Sequence, residues 1–413
     1  MKKLTLYAIY AIIISILLIG CESNGNNFSI PATPCKESSR TMKLLCYFEG
    51  QERFSLINKL CNSYNISDKA EVIPEFVPYK DFLKKLLTDY AKNEIPDIVI
   101  YDKSDYAYLV DQDILGDITK EINNWPEFTM YYERSINNCM INGRIYGLPI
   151  GENCLELFYN RHMLEKQNIK PPETWDELRK AAEKLTINDI KGIGISAQNS
   201  EEGMFQFLPF LFSSGADLDR LDSAEAVKAF SFISQMVQAG YMSKETVNWS
   251  QADLMKQFAQ EKIAMMINGP WQITELKKKS PDLDYGVVKI PRNKKWVTIL
   301  GGENISVTKG KNRYKALNFI KFFCRRDNVK TFTKSIGYFP SRKDVAVDEI
   351  LTSPDVKVFG EEVQKAVSRG LDPKWPEKSK IVTNALSKVI LQMESPESGA
   401  AEAQADIKRL SGE

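Results

Sequence analysis

Apolar residues along the chain fall into two alternating patterns. Short runs of strand length occur at residues 44–48 (LLCYF), 98–100 (IVI), 155–159 (LELFY) and 263–267 (IAMMI). Between them lie stretches in which apolar positions recur every three or four residues. Phe54, Ile57, Leu60 and Cys61 keep one helix face apolar, as do Ala316, Phe319, Ile320 and Phe323. Thr174 and Glu177 stand at the spacing of a capping box, and Leu178, Ala181, Ala182 and Leu185 carry that helix onward. Strands alternating with helices predict βαβ units, that is, parallel sheets with helices on their faces.

The stretch 258–271 (FAQEKIAMMINGPW) is the most informative. Its apolar run lacks alternation, as expected of a central parallel strand covered on both faces. Asn268 or Gly269 is placed to cap the next helix, and Pro270 suits a first turn, where its missing N–H would be unpaired anyway. Trp271 then sits at the carboxyl end of a strand, the edge where open α/β sheets bind ligands. Two other strand ends repeat the arrangement, one followed by Glu49-Gly50 and one by Tyr101-Asp102. Alone, a carboxylate at a helix start is most often a cap and a tryptophan most often core. Together they describe a crevice lined by aromatic faces and carboxylates, suited to a neutral polyhydroxylated ligand.

Composition narrows the function further. A chain of 413 residues is too long for one ordinary core, so two domains are expected. Fifty-five Lys+Arg against 54 Asp+Glu leave no field to attract nucleic acid or a membrane surface. His162 is the only histidine, which argues against a histidine-based zinc cage or a Ser-His-Asp triad. Lys2 and Lys3 precede an apolar segment, residues 4–20, that ends in Leu18-Ile19-Gly20-Cys21. This reads as an export signal, residues 1–20. The quartet resembles the lipobox of bacterial lipoproteins, which implies lipidation of Cys21 and a flexible tether over residues 21–40. Cys35, Cys46, Cys61, Cys139, Cys154 and Cys324 form no CxxC pair, and buried free thiols are expected rather than disulfides or metal ligands.

Several motifs resemble, in order, those of the extracellular solute-binding proteins of ATP-driven importers, in particular the sugar-binding family that includes maltose-binding protein. Ile95-Pro96-Asp97-Ile98-Val99 is similar to its "PDVV" strand. Gly143 to Pro149 with Leu157-Phe158-Tyr159-Asn160 resembles a "GK-YGLP…YYN" block. Pro171-Pro172-Glu173-Thr174-Trp175-Asp176-Glu177-Leu178 resembles "PP-TWDEL", and the stretch 258–271 resembles "F–GKAAM-I-GPW", with Gln260-Glu261-Lys262 departing from Gly-Lys. Gly301-Gly302 and Gly337-Tyr338-Phe339-Pro340-Ser341-Arg342 resemble the closing motifs.

The resemblance implies an α/β, two-lobed periplasmic-binding-protein-like fold of type II. Residues 41–150 plus 302–340 would form lobe one and 154–298 plus 345–413 lobe two, with hinge crossings near residues 150–153, 300–302 and 339–342. It assigns ligand binding to Glu49, Tyr101, Asp102, Glu152, Trp249, Trp271, Glu303 and Arg342, with Trp375 a further candidate. It also implies a monomer without cofactors that delivers a sugar to the transmembrane subunits of an ABC permease with a cytoplasmic ATPase. The chain has no glycine-rich phosphate loop of its own to supply energy. Besides a surface adhesin or scaffold, two other readings remain open here. One is an anchored glycoside hydrolase using two of Glu49, Asp102, Glu152 and Glu303. The other is a receptor for a polar solute such as glycerol phosphate, for which Arg342 is the one good basic candidate.

Overall fold

The unbroken apolar runs become strands whose two faces are both covered. The computed structural model describes residues 41–48, 51–67, 70–345 and 354–412. In chain order its strands are β1 (Thr41–Cys46), β2 (Glu71–Phe76), β3 (Ile98–Asp102), β4 (Met140–Ile141), β5 (Arg144–Ile145), β6 (Leu148–Asn153), β7 (Glu156–Asn160), β8 (Met265–Asn268), β9 (Tyr285–Val288), β10 (Ile299–Val307) and β11 (Val367–Ser368). The expected export segment, the tether, Cys21 and Cys35 lie outside the described residues.

The larger sheet runs β11-β10-β3-β1-β2, with β6 also paired to β10. β1 is parallel to β2 and β3, whereas β10 is antiparallel to β3 and β6. Side-chain alternation explains the sequence pattern. Leu44, Ile98 and Ile100 face a cluster completed by Ile57, Leu60, Phe319, Ile320 and Phe332 from three helices, Gln51–Ser67, Arg313–Phe323 and Arg326–Ile336. Leu45, Val99 and Tyr101 face the opposite side, against Phe82, Leu86, Tyr106 and Leu109. Each such apolar side chain stabilises the fold by about 1.5–3 kcal/mol through burial.

The smaller sheet is β8-β7-β9 and is antiparallel throughout. This corrects the expected parallel strand at 263–267. Both faces are covered as anticipated, with Leu157, Met265 and Ile267 in one cluster and Phe158 and Met266 in another. Burial on two faces removes alternation whatever the strand direction, so the pattern could not report direction. Parallel bridges do occur on the other flank, where Ile263 and Met266 meet Lys191 and Gly194. Around this sheet pack the helices Glu201–Ser213, Ala224–Gln238, Trp375–Ile390 and Pro396–Ser411.

Three chain segments, β6, β10 and the stretch at Phe339, run side by side. In β6 and β10, Gly301 lies opposite Asn153 and Gly302 opposite Glu152. Phe339 exchanges two backbone hydrogen bonds of 2.8 Å with Glu152. Gly302 has φ +118°, and a Cβ there would stand 2.2 Å from the Gly151 carbonyl oxygen, so only glycine permits this approach. The five described cysteines, Cys46, Cys61, Cys139, Cys154 and Cys324, are buried free thiols, as expected. Burial pushes the Cys46, Cys61, Cys139 and Cys324 thiols up to about 12, which keeps them protonated and unreactive.

The capping box is complete. Thr174 Oγ1 accepts from the Glu177 N–H, and Glu177 Oε2 accepts from the N–H groups of Thr174 and Glu173. Thr174→Ala is expected to destabilise the protein by about 1 kcal/mol without altering the fold. A denaturant midpoint shift at unchanged slope measures this, and no shift would mean that solvent satisfies the helix start equally well.

Candidate ligand-binding cleft

Where the strand ends of the two sheets meet lies a cavity of about 320 Å³. It is lined from one side by Tyr47, Tyr79, Asp102, Glu303 and Tyr338, and from the other by Phe205, Gln251 and Trp271. Asn153 and Arg369 also reach it. Trp271 opens the helix Trp271–Lys279 directly after β8. Its indole lies over Gly269, where a Cβ would fall 1.9 Å from the ring, so the glycine in NGPW exists to admit the indole. Neither Asn268 nor Gly269 caps this helix, contrary to expectation, because Pro270 itself stands at the N-cap. The Asn268 side chain instead donates to the Gln251 carbonyl and accepts from the Gly269 N–H.

The aromatic lining is ordered. Phe205 lies nearly parallel to Trp271, 19° between planes with centroids 6.5 Å apart, and Tyr338 meets the indole edge-on at 6.1 Å. Arg53 donates to the Trp271 carbonyl at 3.0 Å, which ties the helix Gln51–Ser67 to the opposite wall.

Two charged assemblies set the electrostatics. Arg369, presented just after β11, places one guanidinium nitrogen 2.6 Å from Asp102 and another 2.6 Å from Glu201, with its plane over the Phe205 ring. Burial opposes the Arg369 charge, but Asp102 and then Glu201 outweigh it and keep the guanidinium protonated. Glu201 also accepts from Trp375 Nε1 at 2.9 Å and Ser379 Oγ at 2.6 Å. In the second assembly Tyr47 and Tyr338 both donate to Glu303 Oε1, at 2.9 and 2.8 Å. Burial, then Asp102, pushes the Glu303 carboxyl up to about 8. Burial first and neighbouring carboxylates second raise Tyr47, Tyr79 and Tyr338 well above their usual range, so these phenols stay neutral donors.

Of the residues expected in the cleft, Asp102, Trp271 and Glu303 line this cavity together. Glu49 lies outside the described residues. Tyr101, Glu152, Trp249 and Arg342 are placed elsewhere. Tyr101 points to the other face of β3, fully buried, with its hydroxyl 2.7 Å from Ser306 Oγ. Glu152 is buried against Lys103 at 2.9 Å and Arg134 at 3.4 Å, a charge pair at the chain crossing. Trp249 packs half-buried against the apolar cluster around Phe258. Arg342 is buried between Asp344 and Glu127, over the Tyr131 ring, and lines a separate surface depression. Trp375 is buried and supports Glu201 instead of lining the cavity. Sequence reasoning missed Arg369, Glu201, Phe205, Tyr47, Tyr79 and Asn153. Tyr47 and Asn153 adjoin motifs that were read, whereas Arg369 follows a segment without a recognisable pattern.

A fold of this kind with a lined cleft between its sheets defines a solute-binding protein. Residues 59–358 match a family described as bacterial extracellular solute-binding protein, and the chain belongs to that family. The family is one of binding proteins, which sets aside the hydrolase alternative. A binding protein of Brucella abortus is 27% identical over 353 residues, 81% of this chain and 85% of that one. A galactooligosaccharide-binding protein of Bacillus subtilis is 21% identical, covering 77% of each chain. A maltotriose-binding protein of Pyrococcus abyssi is 27% identical over 56% of this chain and 52% of its own. A solute-binding protein of Thermotoga lettingae bound with α-D-tagatose superposes with a TM-score of 0.83 at 24% identity, covering 90% of this chain and 99% of that one. The GacH receptor of Streptomyces glaucescens gives 0.81 at 21% identity, over 90% and 98%. At these identities the structures establish the shared fold.

Removing the arginine of the first assembly leaves Asp102 and Glu201 facing each other without a cation. Arg369→Ala is therefore expected to cost about 3 kcal/mol in denaturant unfolding, and an effect below about 1 kcal/mol would mean that water replaces it readily. Glu152 gives a pH signature. Burial opposes its charge, but Lys103 and then Arg134 hold the carboxyl below its ordinary 4.5. A lowered folded value contributes stability above 4.5 that is lost as pH falls through the folded value. Wild type should thus lose its advantage over Glu152→Gln on acidification below that point, and a pH-independent difference would contradict the pairing.

Proposed function

We propose that this protein is the substrate-binding component of an ABC importer that captures a carbohydrate, most simply an oligosaccharide, in the cleft. Export and lipidation at Cys21 would hold it outside the cytoplasm on the membrane, with residues 21–40 as tether, where it would work as a monomer. Lobe one is assigned residues 41–150 plus 302–340 and lobe two 154–298 plus 345–413. The grouping of apolar clusters supports this division, since one draws on Met42 to Ile150 with Ile305 to Tyr338 and another on Leu155 to Ile299 with Trp375 to Ile407. Solute bridging the two lobes would favour the closed hinge, and the closed form would present it to the permease.

The observation that carries the carbohydrate reading is the aromatic wall of Trp271, Phe205 and Tyr338 beside fixed hydroxyl and carboxyl groups. Sugar rings present C–H faces to such walls and hydroxyls to such groups. The named ligands of relatives agree, including maltotriose and galactooligosaccharides. A glycerol phosphate ligand fits less well. Arg369, Lys256 and Lys279, the cavity's ionic cations besides Arg53, are each paired with a carboxylate, and Arg53 is committed to the Trp271 carbonyl.

A thermal-shift screen against maltotriose, raffinose, galactooligosaccharides and sugar phosphates tests this. A sugar at about 100 times its dissociation constant should stabilise the protein by about 2.7 kcal/mol. A response confined to phosphorylated solutes would retire the neutral-sugar assignment. Trp271→Ala should weaken binding of the best sugar about tenfold or more, and unaltered affinity would refute stacking on the indole.

A further inference from the structure

Among the described carboxyl groups lining the cleft, Glu303 is the one with a buried oxygen that has no partner. Oε1 accepts from two phenols, while Oε2 is buried without a partner and the residue lines the cavity. Its side chain is 3% exposed. On the neighbouring strand its register partner is Asp102, another carboxylate. Two like charges facing each other across strands repel, and only one of the pair has a cation at hand. Arg369 is bonded to Asp102, and Lys103, the ammonium that acts on Glu303, is bonded to Glu152.

We propose that Glu303 works as a neutral carboxylic acid whose Oε2–H donates to an oxygen of the bound solute, so that this residue selects hydroxyl- or ether-bearing neutral ligands over cationic ones. The inference rests on the carbohydrate reading above and deepens it. The division of labour follows from the geometry. With two donors already on Oε1, the proton belongs on Oε2, which has no acceptor within the protein and would find one on a guest held against this residue. An ammonium or amine guest would instead require the ionised form, which is costly in a buried site already facing Asp102. Asn153, which also lines the cavity, has its Oδ1 buried against Gly301 without a partner.

The groups that face Glu303 bear on its titration. They are Tyr47 at the end of β1, Asp102 and Lys103 at the end of β3, and Tyr338 ahead of the Phe339 crossing, with Glu152 on β6 held by Lys103. Arg53 and Arg369 lie on the cavity walls. Burial and Asp102 raise the Glu303 carboxyl to about 8, and the phenols remain neutral beyond that point. The acid form is therefore the resident one at neutral pH. Ionisation above about 8 removes the donor, so affinity should fall as pH rises.

The test compares wild type with Glu303→Gln, whose amide reproduces a donor and an acceptor at every pH. Titration calorimetry uses maltotriose, raffinose and a galactooligosaccharide. With the best of these, wild-type affinity should weaken about thirtyfold between about pH 6.5 and about pH 9.5, as expected for an essential proton lost near 8. Glu303→Gln should show no such decline over the same range, whatever its affinity at about pH 6.5. Wild-type affinity flat to about pH 9.5, or the same decline in Glu303→Gln, would overturn the proposal. An infrared difference spectrum between the two unliganded proteins reads the protonation directly. A protonated-carboxyl band at about pH 6.5 that disappears by about pH 9.5 supports the neutral acid, and its absence overturns it. Should all three sugars fail to bind, the carbohydrate reading falls, and the infrared band still decides the state of Glu303.

Discussion

The cleft is referred throughout to one place, the crossing where β6, β10 and the segment at Phe339 lie side by side. Backbone pairing fixes Glu152 against Phe339 and Gly302 against Glu152, and the positive φ of Gly302 lets the strands approach that closely. From this fixed backbone, alternation does the rest. Glu152 turns inward to Lys103 and Arg134, while Asn153 turns to the cavity. Glu303, one residue beyond Gly302, meets Tyr47 from β1 and Tyr338 from beside the crossing. A buried charge pair thus anchors the crossing, while the neighbouring Asn153 and Glu303 line the cavity.

The same alternation explains how far the site could be read from sequence. The strand ends were legible because an apolar run ending in a polar residue marks them, and three of the eight expected residues, Asp102, Trp271 and Glu303, do share the cavity. Two of the misplaced ones failed by a single position. Tyr101 was chosen along with Asp102, and Glu152 in place of Asn153, because a one-residue step on a strand reverses the face and sequence alone does not fix which face meets the cleft. Trp249 lies two residues before Gln251, at a turn into a helix, where no period exists to count. Arg342 failed differently. Its motif was sound, but two carboxylates, Asp344 and Glu127, already neutralise it.

Fold was more legible than direction. Unbroken runs at 98–100 and 263–267 both signalled strands covered on two faces, and both are, yet β3 lies parallel to β1 while β8 lies antiparallel to β7. Burial is a property of position relative to two layers, and direction is a property of the connections. Arg369 was illegible for a related reason. It is brought to Asp102 and Glu201 by a two-residue strand pairing with the start of β10, a long-range contact without any local period.

Charge placement in the cleft follows one rule: its cations are bonded within the protein. Arg369 takes up Asp102 and Glu201, and the phenols of Tyr47 and Tyr338 stay protonated through burial. Burial, with Asp102 opposite, raises Glu303 beyond the ordinary carboxylate range. An internally neutralised site binds by many modest directional bonds and stacking contacts, and does not depend on one strong ion pair. A receptor that must later release its solute gains from that arrangement. Under the proposed hinge opening, aromatic faces and several hydrogen bonds would part together, while the buried Glu152–Lys103 pair would keep its place at the crossing.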